Sequence, residues 1–335
     1  MENLKEIFEN LIKKKNLNLN QSKKLVNSII NNKINDIEIS SILTLLNAKQ
    51  ESFEEIFSFV EYLKNKAKKI NLHDELMDTC GTGGDNKNSF NFSTAVSILL
   101  SACDVKIAKH GNRSITSKSG SFDVLEALGI NIELNDSEQK KFFKKNGICF
   151  LFAPNYHPSL KKIGQIRKCL PFKTIFNLLG PLLNPANIKY QLLGVSNERN
   201  LYTHSKCLSF LKIKKAWVVF NLDGYDELTT TSQNLIVEIK ENKISKLKKI
   251  NPVDLGFKTH SQKDLRGGTA QENAFIMRRL FEGETGAIRD NVLLNAGAGL
   301  LICNKVKNLR DGIELAKKNI DNSLGLKKLE LLIKN

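Results

Sequence analysis

Two glycine-bearing loops and one acidic turn carry the residue types best suited to chemistry. The first loop, Asp78–Asp85, reads DTCGTGGD and runs through Asn86–Asn91 to Ser93 and Thr94, where a helix is expected to start. Gly81, Gly83 and Gly84 remove side chains where the backbone must curl, leaving amide N–H groups free to point at an anion. A helix start adds partial positive charge and unpaired donors. The hydroxyls of Ser93 and Thr94 can cap that helix, hold a phosphate oxygen or reach a cation. The pattern is neither GxxxxGK[ST] nor GxGxxG, so nucleoside triphosphate and dinucleotide readings lose ground.

The second loop, Lys109–Gly120, reads KHGNRSITSKSG. It gathers Lys109, His110, Arg113 and Lys118, together with Asn112 and the hydroxyls of Ser114, Thr116, Ser117, Ser119 and, just beyond, Ser121. Cationic groups beside hydroxyls and a helix start near Phe122 suit a multiply charged phosphate. A plain polar surface loop is the bland alternative, and two such loops after successive strands weigh against it. The acidic turn, NLDGYDE at Asn221–Glu227, brings Asp223, Asp226 and Glu227 to a strand end. Hard oxygen ligands of this kind suit magnesium, which keeps several waters and bridges to substrate phosphates. A general acid/base pair or an ordinary acidic turn are the alternatives.

Between these segments lie His157, Arg167 and the run NLLGPLLNP at Asn177–Pro185. Arg167 is suited to a substrate carboxylate, although a structural ion pair would read the same way. The lone His157 reads as a structural residue. Pro171, Pro181 and Pro185 predict a shaped linker rather than a continuous helix.

Positioning these loops requires a framework, and its texture changes along the chain. Leu4, Ile7, Phe8 and Leu11, then Leu25, Ile29 and Ile30, then Ile39, Ile42, Leu43 and Leu46 recur at helical spacing. Ser52 to Glu55 has the form of a capping box opening a fourth helix, with Phe53, Ile56, Phe57, Val60 and Leu63 on its apolar side. From about Leu72, short apolar runs (Leu76–Met77, Val105–Ala108, Ile148–Phe152, Trp217–Phe220) alternate with helical stretches, the signature of an α/β sheet. Ligands of open α/β sheets collect at the loops leaving the carboxyl ends of strands.

Composition narrows the class further. In 335 residues, 41% hydrophobic content supports a buried core. The 51 Lys and Arg against 35 Asp and Glu give a net charge of +16, which favours anionic partners. Scattered lysines are more often a solvated surface. No apolar run is long enough to span a membrane, and the opening MENLKEIFENLIKKK has no secretory signal's apolar block. The six cysteines show no CxxC pair, which argues for a reducing cytoplasm rather than zinc or a disulfide framework.

The motifs together resemble one family. DTCGTGGD with Asn91, Ser93 and Thr94, then KHGNR and SKSGSFDVLEALG, then LGPLLNP, DGYDE, GGTAQENA at Gly267–Ala274 and LLNAGAGL at Leu293–Leu300 are similar, in order, to the anthranilate phosphoribosyltransferases. The resemblance implies a small all-α N-terminal domain (residues 1–70, with a later contribution from about 168–189). It also implies a larger α/β domain (72–335) with a central, mainly parallel sheet, in the fold group of the nucleoside phosphorylases. It implies a magnesium-dependent reaction of 5-phosphoribosyl 1-diphosphate with anthranilate, the second step of tryptophan synthesis from chorismate, and a cytoplasmic homodimer. By position, Gly81, Gly83, Gly84, Asp85, Asn91, Ser93, Thr94, Lys109 and Ser121 would bind the donor. Gly81, His110, Gly111, Asn112 and Arg167 would meet anthranilate, and Ser93, Asp226 and Glu227 would hold magnesium. Departures from the family's pattern are Cys80, Asn86-Lys87-Asn88 and Phe122, none of which removes a ligand. A pyrimidine nucleoside phosphorylase, or a non-enzymatic relative that binds nucleic acid, are the rival readings.

Overall fold

The computed structural model describes residues 2–73, 75–114 and 118–334, the side chains of Glu2 and Asn3 excepted. The chain divides into two compact units, one of Met1–Lys69 with Ala153–Pro185 and one of Ile70–Phe152 with Ala186–Asn335.

In the helical unit, α1 (Glu2–Ile12), α2 (Leu19–Ile30), α3 (Asp36–Lys49) and α4 (Phe53–Lys66) follow one another. Asn18, Asn35 and Ser52 cap the last three, each paired with a Gln or Glu three residues on that returns a hydrogen bond. Each cap is worth about 1 kcal/mol. Leu11, Leu25, Ile29, Ile39, Ile42, Leu43, Leu46, Ile56, Val60 and Leu63 are buried, as their spacing requires. Phe53 and Phe57 are only half-buried and stack on each other at 5.6 Å. Glu55 is buried and ties the unit together, accepting from the Leu17 amide at 2.9 Å, the Ser52 amide at 2.8 Å and Lys49 Nζ at 2.8 Å.

The returning stretch adds α8 (Ala153–Tyr156), α9 (Lys161–Lys168) and α10 (Ile175–Leu179). Phe176 meets Phe59 edge-on at 5.8 Å, and His157 Nε2 bonds the Leu183 carbonyl at 3.0 Å. The expected return over 168–189 is therefore displaced to Ala153–Pro185. The chain leaves the sheet as soon as its third strand ends at Phe152, and rejoins it through a bridge between Ile70 and Ala186.

The α/β unit alternates β1 (Leu76–Gly81), α5 (Phe92–Ala102), β2 (Ile107–Gly111), α6 (Ser121–Ala127), α7 (Asp136–Asn146) and β3 (Ile148–Phe152). It resumes with β4 (Ile188–Gly194), α11 (Asn200–Phe210), β5 (Lys215–Asn221), β6 (Asn234–Lys240), β7 (Lys243–Ile244) and β8 (Lys248–Ile250). Four helices close it: α12 (Ala270–Phe281), α13 (Ala287–Ile302), α14 (Leu309–Asp321) and α15 (Leu324–Ile333). Among the described residues the strand order is β3-β2-β1-β4-β5-β6-β7, with β8 also on β6. The first five strands pair in parallel, and β6 runs antiparallel to β5. Successive crossovers run from β1 outward to β3, and the chain then returns to the other flank of β1 as β4. The order thus reverses between β1 and β4, where open sheets bind ligands.

Candidate active site

Gly81 and Gly194 end β1 and β4 and face each other in register. The turn after β5 lays Asp226 across both, so that a Cβ on Gly81 would collide with the Asp226 carboxylate and a Cβ on Gly194 with its backbone carbonyl. Asp226 Oδ2 accepts the Gly83 amide at 2.7 Å. That amide, expected to be free for an anion, is engaged by the protein, because the acidic turn folds directly onto the glycine loop. Gly83 and Gly84 both sit at φ +69°, a region that penalises a Cβ. Asn86 and Asn88 adopt φ +59° and +49°, a region in which Asn is enriched. Lys87 between them reaches back to the acidic turn, its Nζ 5.4 Å over the Tyr225 ring and 3.2 Å from Gln262 Oε1.

Below this contact lies a cavity of about 10 Å³, lined by Thr79, Cys80, Ser93, Val219, Asp226 and Glu227 among others. That is room for about one water-sized occupant. Glu227 Oε2 is buried there without a hydrogen-bond partner. Burial, then the Asp226 and Asp85 charges, hold the Glu227 carboxyl well above the ordinary range, while the Ser93 amide and Lys109 oppose them. Two adjoining carboxyl groups, with one buried Glu227 oxygen left without a hydrogen bond, beside the Ser93 hydroxyl, fit a hard divalent cation. Among the described residues no three His, Cys, Asp or Glu side chains converge as a complete metal cage. Magnesium that keeps waters and bridges to phosphate needs none.

Lys109 is buried on β2 and donates to the Thr79 carbonyl at 2.8 Å and Ser93 Oγ at 3.2 Å. Burial lowers its pKa, against the pull of Asp78. Helix α5 starts at Phe92 with Asn91 as its cap residue and no side-chain capping bond, so Ser93 and Thr94 lie inside it and cap nothing. The Thr94 hydroxyl is buried and unpaired. Asp85 Oδ1 turns back onto the Lys87 amide at 3.1 Å.

In the second loop, Arg113 departs from its expected phosphate role. It is clamped to Glu126 through two bonds of 2.9 and 2.7 Å and lies 4.9 Å over the Phe152 ring. An acid one turn into α6 outcompetes a loop position for a nearby guanidinium. Asp123 holds the loop by accepting the Ser114 and Gly120 amides at 2.8 and 2.7 Å. Ser121 Oγ donates to the Asn112 carbonyl at 3.3 Å at the head of α6, and Gly111 packs directly against Ser121 and Phe122. The Asn112 side chain is exposed and accepts the Arg113 amide at 2.8 Å. His110 is buried, its amide 3.4 Å from Asp78 Oδ1. Lys118 is exposed, and Thr116 and Ser117 lie outside the described residues. Phe122 is buried against Phe152 at 5.2 Å. Arg167 belongs to the helical unit, on α9, with its guanidinium 5.8 Å from the Phe176 ring and its pKa lowered by burial.

One residue with no role in the sequence reading joins this array. Asn273 of α12 is buried and donates to Asn91 Oδ1 at 2.8 Å. Its only signal in the sequence is its place inside GGTAQENA.

Two family models match the chain: the helical bundle domain of a glycosyl transferase family over residues 5–67 and the a/b domain of that family over 73–325. The anthranilate phosphoribosyltransferase of Petrotoga mobilis is 44% identical over 97% of this chain and 95% of its own length. The chain belongs to the anthranilate phosphoribosyltransferases. The crystal structure of the Thermus thermophilus enzyme superimposes with a TM-score of 0.90 at 31% identity, covering 98% of each chain. The Saccharomyces cerevisiae enzyme in complex with PRPP and Mg gives a TM-score of 0.90 at 26% identity, over 99% of this chain and 97% of that one. The family's two-part architecture, a helical bundle and a mainly parallel α/β sheet, is the one described above. Among the described residues no helix is long and apolar enough to cross a membrane.

Proposed function

We propose that this chain transfers the phosphoribosyl group of 5-phosphoribosyl 1-diphosphate to the amine of anthranilate, releasing diphosphate. The observation that carries the reading is the Gly83–Asp226 bond, which joins an anion-curling loop to a buried acidic pair at the switch point of the sheet. The neighbouring family members bear the same activity in their names. A nucleoside phosphorylase has no need of the carboxylate pair, and nucleic-acid binding has no use for it.

As the C–O bond to diphosphate breaks, positive charge develops on the ribose ring and negative charge on the leaving group. Lys109, the Ser93 and Thr94 hydroxyls, Asn91, Ser121 and the backbone of Gly81, Gly84 and Asp85 would bind the donor and meet that negative charge with preorganised donors, while Gly83 curls the loop beneath the donor and its amide holds Asp226. Removing one such donor costs about a hundredfold in rate. Asp226, Glu227 and the Ser93 hydroxyl would hold magnesium, which supplies Lewis-acid neutralisation of the diphosphate. An aromatic amine is unprotonated at neutral pH, so no strong base is required. Gly81, His110, Gly111 and Asn112 would orient it toward the anomeric carbon, with Arg167 taking its carboxylate. We also propose a homodimer in the cytoplasm, in keeping with six unpaired cysteines.

The test mixes purified protein with magnesium, the donor and anthranilate and follows the loss of anthranilate fluorescence. Turnover that needs all three supports the reading. Phosphorolysis of thymidine or uridine in its place overturns it.

A further inference from the structure

Asn273 is a buried amide inside a helix, where Asn is a poor helix former and an unsatisfied amide is costly. Its bonds form a chain whose direction is set at both ends. The Gly268 amide can only donate, and it donates to Asn273 Oδ1 at 2.9 Å. Asn273 Nδ2 therefore faces Asn91 and donates to its Oδ1 at 2.8 Å. Asn91 Nδ2 is left to face the Ser119 carbonyl, which can only accept, at 3.3 Å. An asparagine alone is nearly symmetric between its oxygen and nitrogen ends. Here a backbone donor and a backbone acceptor remove that freedom. A Cβ on Gly267 would collide with Asn273 Oδ1, so the anchoring end needs glycine beside it.

We propose that Asn273 is a positioning residue for the donor site, acting through Asn91 in two ways. It ties the start of α5 to the second loop at Ser119, and it turns the Asn91 NH2 group, never its carbonyl, toward an anionic donor. One Nδ2 hydrogen goes to Ser119 and the second is available to a phosphate or ribose oxygen. The inference rests on the function proposed above.

The experiment compares steady-state kinetics of Asn273→Ala and Asn273→Asp with the parent enzyme, alone and in an Asn91→Ala background. Asn273→Ala leaves Asn91 held by Ser119 alone and raises the KM for 5-phosphoribosyl 1-diphosphate about tenfold, with the KM for anthranilate within about twofold. Asn273→Asp is nearly isosteric and still accepts from Gly268, but it offers Asn91 only acceptors. It forces the Asn91 carbonyl toward the donor and raises that KM further than Asn273→Ala does. A purely structural role gives the opposite order, since the isosteric change is then the milder one. In the Asn91→Ala background neither substitution adds a further change. The reverse order of the two variants, or effects that persist without Asn91, overturns the proposal. Fluorescence of the single tryptophan, Trp217, reports folding. If Asn273→Ala does not fold, Asn273→Asp against the parent still decides, a change below about threefold overturning it. Absence of turnover in the parent enzyme with both substrates instead overturns the assigned function.

Discussion

Asp226 and Gly83, 143 positions apart, share a hydrogen bond of 2.7 Å between a carboxylate oxygen and a main-chain amide. The bond makes the glycine loop and the acidic turn one object. The bare edges of Gly81 and Gly194 beneath it set how closely the two can lie.

Gly194→Ala places a methyl group into the Asp226 backbone and must lift the turn. We expect kcat/KM to fall about a hundredfold or more, with about 2 kcal/mol of stability lost by overpacking. Gly83→Ala meets open space and suffers only its left-handed backbone, about 1 kcal/mol. Activity and urea midpoints of the pair, measured side by side, check this; equal losses of activity would contradict the close-approach argument.

Asp226→Asn combined with Glu227→Gln removes the charge of both buried carboxylates. Turnover should drop at least about a hundredfold and lose its dependence on magnesium, while far-UV circular dichroism stays unchanged. A magnesium titration of the rate settles it, and an unaltered curve refutes the metal assignment.

Arg167→Ala should raise the KM for anthranilate about tenfold or more and leave that for the phosphoribosyl donor nearly unchanged. A matching rise for both substrates would remove its role as a carboxylate partner.

Glu55→Ala removes the carboxylate partner of Lys49, leaving it only the neutral acceptors Asn16 Oδ1 and the Gln50 carbonyl, and leaves the Leu17 and Ser52 amides unbonded. The expected loss is about 3 kcal/mol. A denaturation midpoint within error of the parent would show that the buried pair is dispensable.

His157 is buried and its pKa is depressed, chiefly by burial. A depressed pKa means the unfolded chain takes up the proton first. Stability is therefore fully present above the ordinary histidine value near 6.5 and is lost as pH falls through the folded one, by at most about 1.4 kcal/mol per pH unit. Urea midpoints between pH 7.5 and pH 5 should fall for the parent and stay flatter for His157→Asn, which keeps a donor for Leu183. Parallel profiles would exclude this histidine as the source.

The helical stripes and the Ser52 box were legible because amphipathic spacing and capping chemistry are local. The strands β1, β2, β3 and β5 announced themselves as apolar runs, whereas β4 hides Lys189 and Gln191 among its apolar residues. Helix α13 is buried on nearly every side, so no stripe marks it. Within the site, glycines, cations and acids could be read by type. What no local pattern reveals is which partner wins. Arg113 chose Glu126, Gly83 chose Asp226, and Asn273 found Asn91 from 182 positions away. The break at Phe152 was likewise a matter of where the sheet ends.

The cysteines carry a practical corollary. Burial, the leading cause in each case, pushes the thiols of Cys80, Cys103, Cys149, Cys207 and Cys303 up, three of them to about 12, while Cys169 alone is exposed. A maleimide dye added to the native enzyme near neutrality will therefore mark the helical unit at Cys169, two residues past Arg167, without any prior engineering. The label sits close enough in sequence to Arg167 for a fluorimeter to test the carboxylate role proposed for that arginine.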